Sequence, residues 1–277
     1  ITGQGRVAFQ GEEPAVCQAN LHLRSAGRVL LVMDQFEATD FDTLFDRTLS
    51  LPWEEWIPAD GCFPVKGRSV RSQLSSVPAC QRTVKKAIVE RLKKTHGTEQ
   101  LDESGAMYVV EVSILKNEAL ITIDTSGSGL HRRGYRKLMG EAPLRETLAA
   151  ALVQLSFWRP ERPFIDPFCG TGTIPIEAAL LGLNIAPGLN REFVAETWPR
   201  IGKKYWREAR TAARDMRLAG LPERIIATDI SEEALSLARY HAKQAGVEQW
   251  IHFQQRDFRE LRSSREYGCI VTNPPYA

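Results

Sequence analysis

Short apolar runs alternate with amphipathic stretches over the first 58 residues of the chain. Strand-like segments group β-branched and aromatic residues, whereas the segments between them place apolar residues three and four positions apart. In chain order, the pattern predicts a strand at 7–9, a helix at 14–24, a strand at 29–36 and a helix at 41–49. This alternation in short pieces predicts a small α+β unit at residues 1–58, which ends in the tryptophan- and proline-containing segment from Leu51 to Pro58.

A second α+β region is predicted at residues 59–127. The pattern predicts a strand at 63–70, a helix at 77–94 that is followed by a terminating glycine at 97, and a β-hairpin with strands at 107–115 and 119–124. Within the helix, Val84, Ile88 and Leu92 recur at helical spacing, while the lysines and arginines fall largely on the rest of the circumference. One face of this helix is therefore predicted to pack and the other to be cationic.

Glycine and serine residues at 126–129 predict a flexible joint, and we place a linker at residues 128–142. From residue 143 to residue 277 strands alternate with helices, which predicts the α/β fold class with a parallel, Rossmann-like sheet. The strands are predicted at 164–166, 225–229, 251–255 and 269–272, with helices that include 143–157 and 174–181. The segment 183–216 is longer than a minimal crossover and is predicted to form an additional helical excursion.

Composition and charge narrow the class of protein. Hydrophobic residues make up 43% of the 277 positions and charged residues 25%, which is typical of a folded soluble protein, and no apolar run is long enough to span a membrane. The five cysteines include no Cys-x-x-Cys pair, so we predict a reducing, cytoplasmic location and no metal site. The net charge is +2, but residues 1–60 carry −6 and residues 61–96 carry +8, which indicates a polyanionic partner. The start at Ile1 resembles the middle of a strand, so we expect residues upstream of it.

A glycine-containing turn follows the first strand of the Rossmann-like region and opens a helix. It reads Asp-Pro-Phe-Cys-Gly-Thr-Gly-Thr over residues 166–173. Gly170 and Gly172 lack Cβ atoms, so the backbone can turn sharply and approach a ligand in front of the helix N-terminus. The spacing differs from the dinucleotide-binding Gly-x-Gly-x-x-Gly because Pro175 occupies the third position. A tight turn without a ligand is the alternative, and Cys169 is interpreted as a small loop filler.

Acidic residues also end the next two strands. Asp229 is in the position where a carboxylate accepts hydrogen bonds from both ribose hydroxyls of a nucleoside cofactor. Asp257 can receive an adenine amino group while the ring of Phe258 covers the base. Each acid alone is equally well interpreted as a strand-end or capping residue. Because the carboxyl ends of parallel strands meet, we predict that these acids and Asp166 line one crevice.

The fourth strand ends in Asn273-Pro274-Pro275-Tyr276, which is the most specific signal in the chain. Together with the turn at 166–172, this tetrapeptide resembles the amino-group methyltransferases, which carry an (Asn/Asp/Ser)-Pro-Pro-(Tyr/Phe/Trp) loop. The resemblance implies S-adenosylmethionine as the cofactor and these four residues as the catalytic loop. The residues expected to bind the cofactor are Asp166, Phe168, Gly170, Gly172, Thr173, Asp229, Ile230, Asp257, Phe258 and Asn273.

An exocyclic amine on a base is a poor nucleophile because its lone pair is delocalised into the ring. The side-chain oxygen of Asn273 and the carbonyl of Pro274 can hold both amine hydrogens and favour a pyramidal nitrogen whose lone pair points at the sulfonium methyl group. Successive prolines preorganise these acceptors, and Tyr276 offers a ring on which the extruded base can stack. This chemistry requires that the glycine turn and the diproline loop border a common crevice.

The N-terminal half resembles the THUMP-containing RNA methyltransferases in the segment 63–70, the basic helix after Pro78 and the segment 130–136. The resemblance implies an N-terminally incomplete ferredoxin-like unit at 1–58, a THUMP domain at 59–127, a methyltransferase domain at 143–277, and structured RNA as the partner. Its most similar form is the bacterial group that methylates guanine N2 in large-subunit ribosomal RNA, often described as N6-adenine-specific DNA methylases. The residues expected to contact RNA are Lys66, Arg68, Arg71, Arg82, Lys85, Lys86, Arg132, Arg133 and Arg136.

The catalytic loop suits adenine N6, cytosine N4, guanine N2 and a glutamine amide alike, so the acceptor stays open at this point. The alternatives are an N6-adenine DNA methyltransferase, a transfer-RNA guanine-N2 methyltransferase, and a non-catalytic RNA-binding module with a vestigial cofactor fold. The catalytic sheet of the family continues after the Pro-Pro loop, so we expect further strands beyond Ala277.

Overall fold

The structure is a computed structural model that describes residues 5–137, 144–262 and 265–275. The chain divides into two compact units. Unit 1 contains the residues up to 17 together with 28–128 and 193–206, and unit 2 contains 18–27, 129–192 and the residues from 207 onward. No helix among the described residues is both long and apolar enough to cross a bilayer.

Unit 1 is built on a four-stranded sheet. Its strands are β1 (Leu30–Glu37), β2 (Val65–Val70), β3 (Val110–Leu115) and β4 (Glu118–Asp124), in the order β1-β4-β3-β2. β4 is antiparallel to both β1 and β3, whereas β2 is parallel to β3. A parallel pair requires a crossover connection, and the helix α3 (Val77–His96) lies in the connection between β2 and β3.

The helices of unit 1 begin and end where their sequences dictate. Asp40 caps α2 (Phe41–Ser50) by accepting the N–H of Thr43 at 2.7 Å. α3 has a proline in its first turn and ends at Gly97 in the left-handed conformation (φ +64°), as its sequence predicts. The side chains of Val84, Ile88 and Leu92 are buried, so α3 packs with its predicted apolar face. The first helix of the chain is α1 (Glu13–His22).

Unit 2 contains a parallel sheet of the predicted type. Its strands are β5 (Phe164–Asp166), β6 (Ile225–Asp229), β7 (Ile251–Gln255) and β8 (Cys269–Ile270), in the order β7-β6-β5-β8. The chain passes from β5 to β6 on one side and later returns to place β8 on the other side of β5. This reversal of strand order is a topological switch point, where the carboxyl ends of the two strands border a ligand crevice.

The remaining helices are α4 (Glu146–Leu155), α5 (Thr173–Gly182), α6 (Lys203–Asp215) and α7 (Glu232–Ala245). α5 directly follows the glycine turn and is buried along most of its length. α6 lies in the predicted insertion. Residues 193–206 of that insertion belong to unit 1, where the ring of Trp198 stacks on Tyr108 with 4.7 Å between centroids. The sequence pattern places this segment in the catalytic region. A contact between residues as far apart in sequence as Tyr108 and Trp198 leaves no pattern in the neighbouring residues from which it could be predicted.

One sequence prediction of the N-terminal region is wrong. Residues 7–9 form no strand, and Val7 and Phe9 are exposed. β1 is hydrogen-bonded along β4 and both strands belong to unit 1, so this compact unit extends across residue 58, where the domain boundary stays a prediction. The linker predicted at 128–142 lies partly outside the described residues.

Candidate active site

The glycine turn and the diproline loop follow neighbouring strands. β5 pairs with β8 in parallel, and beyond the paired residues Val271 N–H donates to the carbonyl of Ile165 at 3.1 Å. One residue further on, Thr272 Oγ1 donates to Asp166 Oδ1 at 2.6 Å. The two loops therefore begin side by side at one crevice of unit 2, which is the arrangement that amine methylation requires.

The two glycines of the turn adopt conformations that other residues rarely adopt. Gly170 has φ +50° and Gly172 has φ +85°. A Cβ atom at Gly172 would lie 3.0 Å from the Cβ of Ala238, so the absence of a side chain lets the turn pack closely on α7. A Cβ atom at Gly170 would meet no described atom within 4 Å. The backbone at Gly170 is therefore open to a ligand.

Asp229 holds the turn in place. Its Oδ2 accepts the N–H of Gly170 at 2.8 Å, and its Oδ1 accepts the N–H of Ser231 at 3.0 Å. Each carboxylate oxygen has a second lone pair, so the group can still accept hydrogen bonds from a ligand. The position of Asp229 at the carboxyl end of β6 thus suits both fixing the turn and binding a ribose.

Asp166 is buried between the two loops. Its Oδ1 accepts the hydroxyl of Thr272 and, at 3.2 Å, the N–H of Phe168. Burial raises the pKa of Asp166 to about 7, against the lowering effect of these two hydrogen bonds. The side chain is 1% exposed. The side chain therefore connects the two loops, and its direct contact with the cofactor stays a prediction.

The raised pKa of Asp166 predicts a pH-dependent stability. The folded protein keeps a proton that the unfolded chain releases near the ordinary pKa of 3.8. The free energy of unfolding therefore falls as the pH rises from about 4 to about 7, and this contribution is constant above that range. Asp166→Asn cannot titrate, so the variant should show a shallower decline in urea unfolding over this interval.

The matched control for this experiment is Asp257→Asn. Hydrogen bonds from Arg259 lower the pKa of Asp257 to about 2, so its titration lies below the interval. The control should follow the wild-type slope. Equal slopes in wild type and Asp166→Asn would contradict the assignment.

Apolar groups are exposed at the ends of β6 and β7. Ile230 is 71% exposed and Phe258 is 51% exposed, and the Phe258 ring lies 5.0 Å from that of Phe168. Exposed apolar groups at the carboxyl edge of a parallel sheet suit a flat base. Asp257, the predicted acceptor of an adenine amine, currently accepts from Arg259, at 2.5 Å for its Nη2.

The catalytic loop is described as far as Pro275. Asn273 is partly buried, and Pro274 and Pro275 are exposed. Tyr276 lies outside the described residues. Cys169 in the facing turn is buried, and burial raises the pKa of its thiol, which supports the interpretation of this residue as a loop filler.

The predicted RNA-contacting residues of unit 1 lie on two faces of its sheet. A Cβ atom at Gly67 would meet Gln81 of α3, so Lys66 and Arg68, its neighbours in β2, lie on the opposite face. Both are exposed. Arg71 is exposed in the turn after β2 with φ +50°. Of the α3 residues expected to contact RNA, Arg82 and Lys86 are exposed.

Lys85 is largely committed to the protein itself. Its Nζ lies 3.4 Å from the centroid of the Phe63 ring and 2.6 Å from Glu103 Oε1. Two of its three N–H donors are thus used within unit 1, by Glu103 and by the carbonyl of Phe63 at 3.2 Å. A contact of Lys85 with RNA stays a prediction, and it would compete with these bonds.

Two arginines of the basic segment after residue 130 pack against helices of unit 2 and do not form an exposed surface. Arg133 is 3% exposed and pairs with the buried Glu177 of α5 at 3.4 Å, and Tyr135 Oη donates to the same carboxylate at 3.2 Å. Arg136 pairs with Glu146 at 3.1 Å and also donates to the hydroxyl of Thr173. The RNA assignments of Arg133 and Arg136 are therefore corrected, whereas Arg132 is exposed.

Two residues that hold the crevice were missed in the sequence. Thr272 was assigned only to a strand, although a polar residue beside a buried strand-end acid is a signal for a hydrogen bond. His241 lies on the buried face of α7, with its Nδ1 3.2 Å from the carbonyl of Thr171. A histidine among apolar helix positions was the available signal for such a contact.

Comparisons with known families match most of the chain. Residues 133–277 match the family described as an RMKL-like methyltransferase domain, residues 38–124 match a THUMP domain, and residues 2–30 match an RlmL ferredoxin-like domain. The THUMP match begins at residue 38 and not at the predicted 59, consistent with the position of α2 in unit 1.

Two curated relatives align over 98% of the chain. The "Putative RNA methyltransferase YpsC" of Bacillus subtilis is 51% identical over 71% of its own length. The "Ribosomal RNA large subunit methyltransferase K/L" of Psychromonas ingrahamii is 35% identical, and the chain spans 37% of its length.

Solved structures agree with this relationship. A predicted N6-adenine-specific DNA methylase from Listeria monocytogenes is 51% identical with a TM-score of 0.94, over 96% of this chain and 70% of that one. SMU.472, crystallised in complex with S-adenosylhomocysteine, is 37% identical with a TM-score of 0.91, over 96% of this chain and 71% of that one. The fold is thus a Rossmann-like methyltransferase domain preceded by a THUMP-containing α+β region, and the cofactor is S-adenosylmethionine. The chain belongs to the RMKL-like methyltransferase family, in a form that carries a THUMP domain ahead of the catalytic domain.

Proposed function

We propose that the protein transfers a methyl group from S-adenosylmethionine to an exocyclic base amine of structured RNA, namely guanine N2 of large-subunit ribosomal RNA. The observation that carries the proposal is the adjacency of two loops in unit 2. Asp166 and Thr272, the residues from which the glycine turn and the diproline loop depart, are hydrogen-bonded to each other. A donor site and an acceptor site on neighbouring loops can present a methyl group and an amine to each other.

The residues of the crevice fit S-adenosylmethionine, which supplies an electrophilic methyl group when it is bound. The open backbone at Gly170 suits close approach of the ligand, and the carboxylate of Asp229 suits the ribose hydroxyls. The exposed side chains of Ile230 and Phe258 suit the two faces of adenine.

Asn273 would orient the target amine. Its side-chain oxygen and the carbonyl of Pro274 accept the two amine hydrogens, which weakens the conjugation of the nitrogen lone pair with the base. The proton released on methylation can leave through these same acceptors to water, so a strong general base is not needed. Tyr276 would stack on the base.

RNA as the polymer is supported by the THUMP match and by the basic residues of unit 1. Arg82 and Lys86 are exposed one turn apart on α3, so both can reach phosphates on one side of the helix. Lys66 and Arg68 offer a second basic surface on the other face of the sheet. Large-subunit ribosomal RNA as the substrate is supported by the name of the K/L relative, whereas guanine N2 rests on the family resemblance of the sequence alone.

Mass spectrometry of nucleosides from cells with and without the full-length protein tests this proposal. N2-methylguanosine should decrease in large-subunit ribosomal RNA when the protein is absent. A decrease confined to transfer RNA would indicate the transfer-RNA alternative, and a decrease of N6-methyladenine in DNA would indicate the DNA alternative. Absence of S-adenosylmethionine binding in calorimetry would favour a non-catalytic RNA-binding module.

Charge reversal on α3 should weaken RNA binding selectively. We expect Arg82→Glu with Lys86→Glu to lower RNA affinity at least about 10-fold. The slope of log affinity against log salt should become smaller by about two, because binding releases fewer counterions when two phosphate contacts are lost. Filter binding over a salt series measures both quantities. Affinity for S-adenosylmethionine should not change.

Arg224→Glu with Lys243→Glu is the matched control. Both residues are exposed in unit 2, and the net charge changes by the same amount. RNA affinity that falls equally in both double variants would show a general effect of net charge and would remove α3 from the RNA surface.

A further inference from the structure

One carboxylate connects the two loops of the crevice. Asp166 Oδ1 accepts the N–H of Phe168, which opens the glycine turn, and the hydroxyl of Thr272, which directly precedes Asn273. Asp166 is 1% exposed, so solvent does not compete for these bonds. The start of the glycine turn and the start of the diproline loop are therefore hydrogen-bonded to the same oxygen atom.

This connection lies where the register between β5 and β8 ends. The two strands pair Phe164 with Cys269 and Ile165 with Ile270. The backbone bond from Val271 to Ile165 follows, and the side-chain bond of Thr272 extends the connection by one more residue, up to Asn273. Because only two residues of each strand are paired, the hydrogen bond of Thr272 contributes strongly to the position at which the diproline loop leaves β8.

We propose that Thr272 is a positioning residue for methyl transfer, whose hydroxyl sets the separation of Asn273 from the glycine turn through Asp166. The inference rests on the proposed function of Asn273. A displacement of about 1 Å at reacting groups can reduce a rate about 100-fold. Since the hydroxyl is directed at Asp166, its loss should lower kcat and leave the affinity for S-adenosylmethionine unchanged.

Thr272→Val and Thr272→Ser in the full-length protein separate the hydroxyl from the shape of the side chain. Valine keeps the volume and loses the donor, whereas serine keeps the donor. Thr272→Val should lower kcat for RNA methylation about 10-fold to 100-fold, with an unchanged dissociation constant for S-adenosylmethionine, and Thr272→Ser should restore the wild-type rate. Equal rates in the two variants would overturn the inference, as would a parallel loss of cofactor affinity in Thr272→Val.

A second readout does not depend on catalysis. Hydrogen–deuterium exchange of the peptide that contains Thr272 and Asn273 should be faster in Thr272→Val and Thr272→Ala than in wild type and Thr272→Ser. Thr272→Ala removes the hydroxyl without adding a methyl group in its place, so it controls for a steric effect of the valine side chain. Unchanged exchange in both variants overturns the inference, while methylation by the wild-type protein tests the proposed function separately.

Discussion

Replacing Asn273 with alanine is expected to reduce methyl transfer at least about 100-fold, since removal of one preorganised polar contact at a reacting centre typically has an effect of this size. The amide oxygen is assigned to one hydrogen of the target amine, so the loss should appear in kcat. Affinity for S-adenosylmethionine should change much less than kcat even though Asn273 is expected to border the cofactor, because Asp229 and the glycine turn, which hold most of the expected contacts, are unchanged. Single-turnover methylation and calorimetric titration measure the two quantities.

Asn273→Asp is the control for this prediction. Aspartate retains a side-chain oxygen of the same reach, so the variant should keep a substantial part of the activity that alanine loses. A wild-type rate in Asn273→Ala would contradict the mechanism. Equal losses in both variants would show that the acceptor oxygen is not what the position contributes.

Replacing Asp229 with alanine is expected to raise the dissociation constant for S-adenosylmethionine at least about 100-fold. A hydrogen bond to a charged group contributes about 1.5–3 kcal/mol, and each 1.4 kcal/mol corresponds to about a factor of ten. The variant also leaves the N–H of Gly170 without its carboxylate partner, so the turn loses its fixed conformation. Isothermal titration calorimetry measures the change directly.

Glu233→Ala supplies the comparison for Asp229→Ala. Glu233 is an exposed acid in the first turn of α7, so its removal changes the net charge equally without touching the crevice. The control should bind S-adenosylmethionine as wild type does. Similar affinities in both variants would show that Asp229 does not bind the ribose.

The strands of unit 2 were predictable because local sequence determines them. β5, β6 and β7 begin and end at the predicted residues. β5 and β6 begin with short apolar runs, β7 alternates apolar with polar residues over its first three positions, and a turn or capping residue follows each strand. Parallel pairing then brings the carboxyl ends of the strands together, so the crevice followed from the pattern of strands and helices. The predicted roles of the crevice residues await the variants described above.

The errors concern residues whose partners are distant in sequence. Arg133 and Arg136 belong to a basic run that looks like a nucleic-acid surface, but Glu177 and Glu146 neutralise them inside unit 2. A charge pattern records the sign of each side chain and not its burial. The contact of Trp198 with Tyr108 escaped prediction for the same reason.

A crystal structure of the full-length protein with S-adenosylhomocysteine tests the central claim most directly, which is that both loops serve one methyl-transfer crevice. The account predicts that the ribose hydroxyls contact Asp229, that the adenine lies beside Phe258, and that the sulfur faces the side chain of Asn273. A ligand bound away from the turn at Gly170, or a sulfur separated from Asn273 by another part of the chain, would contradict it.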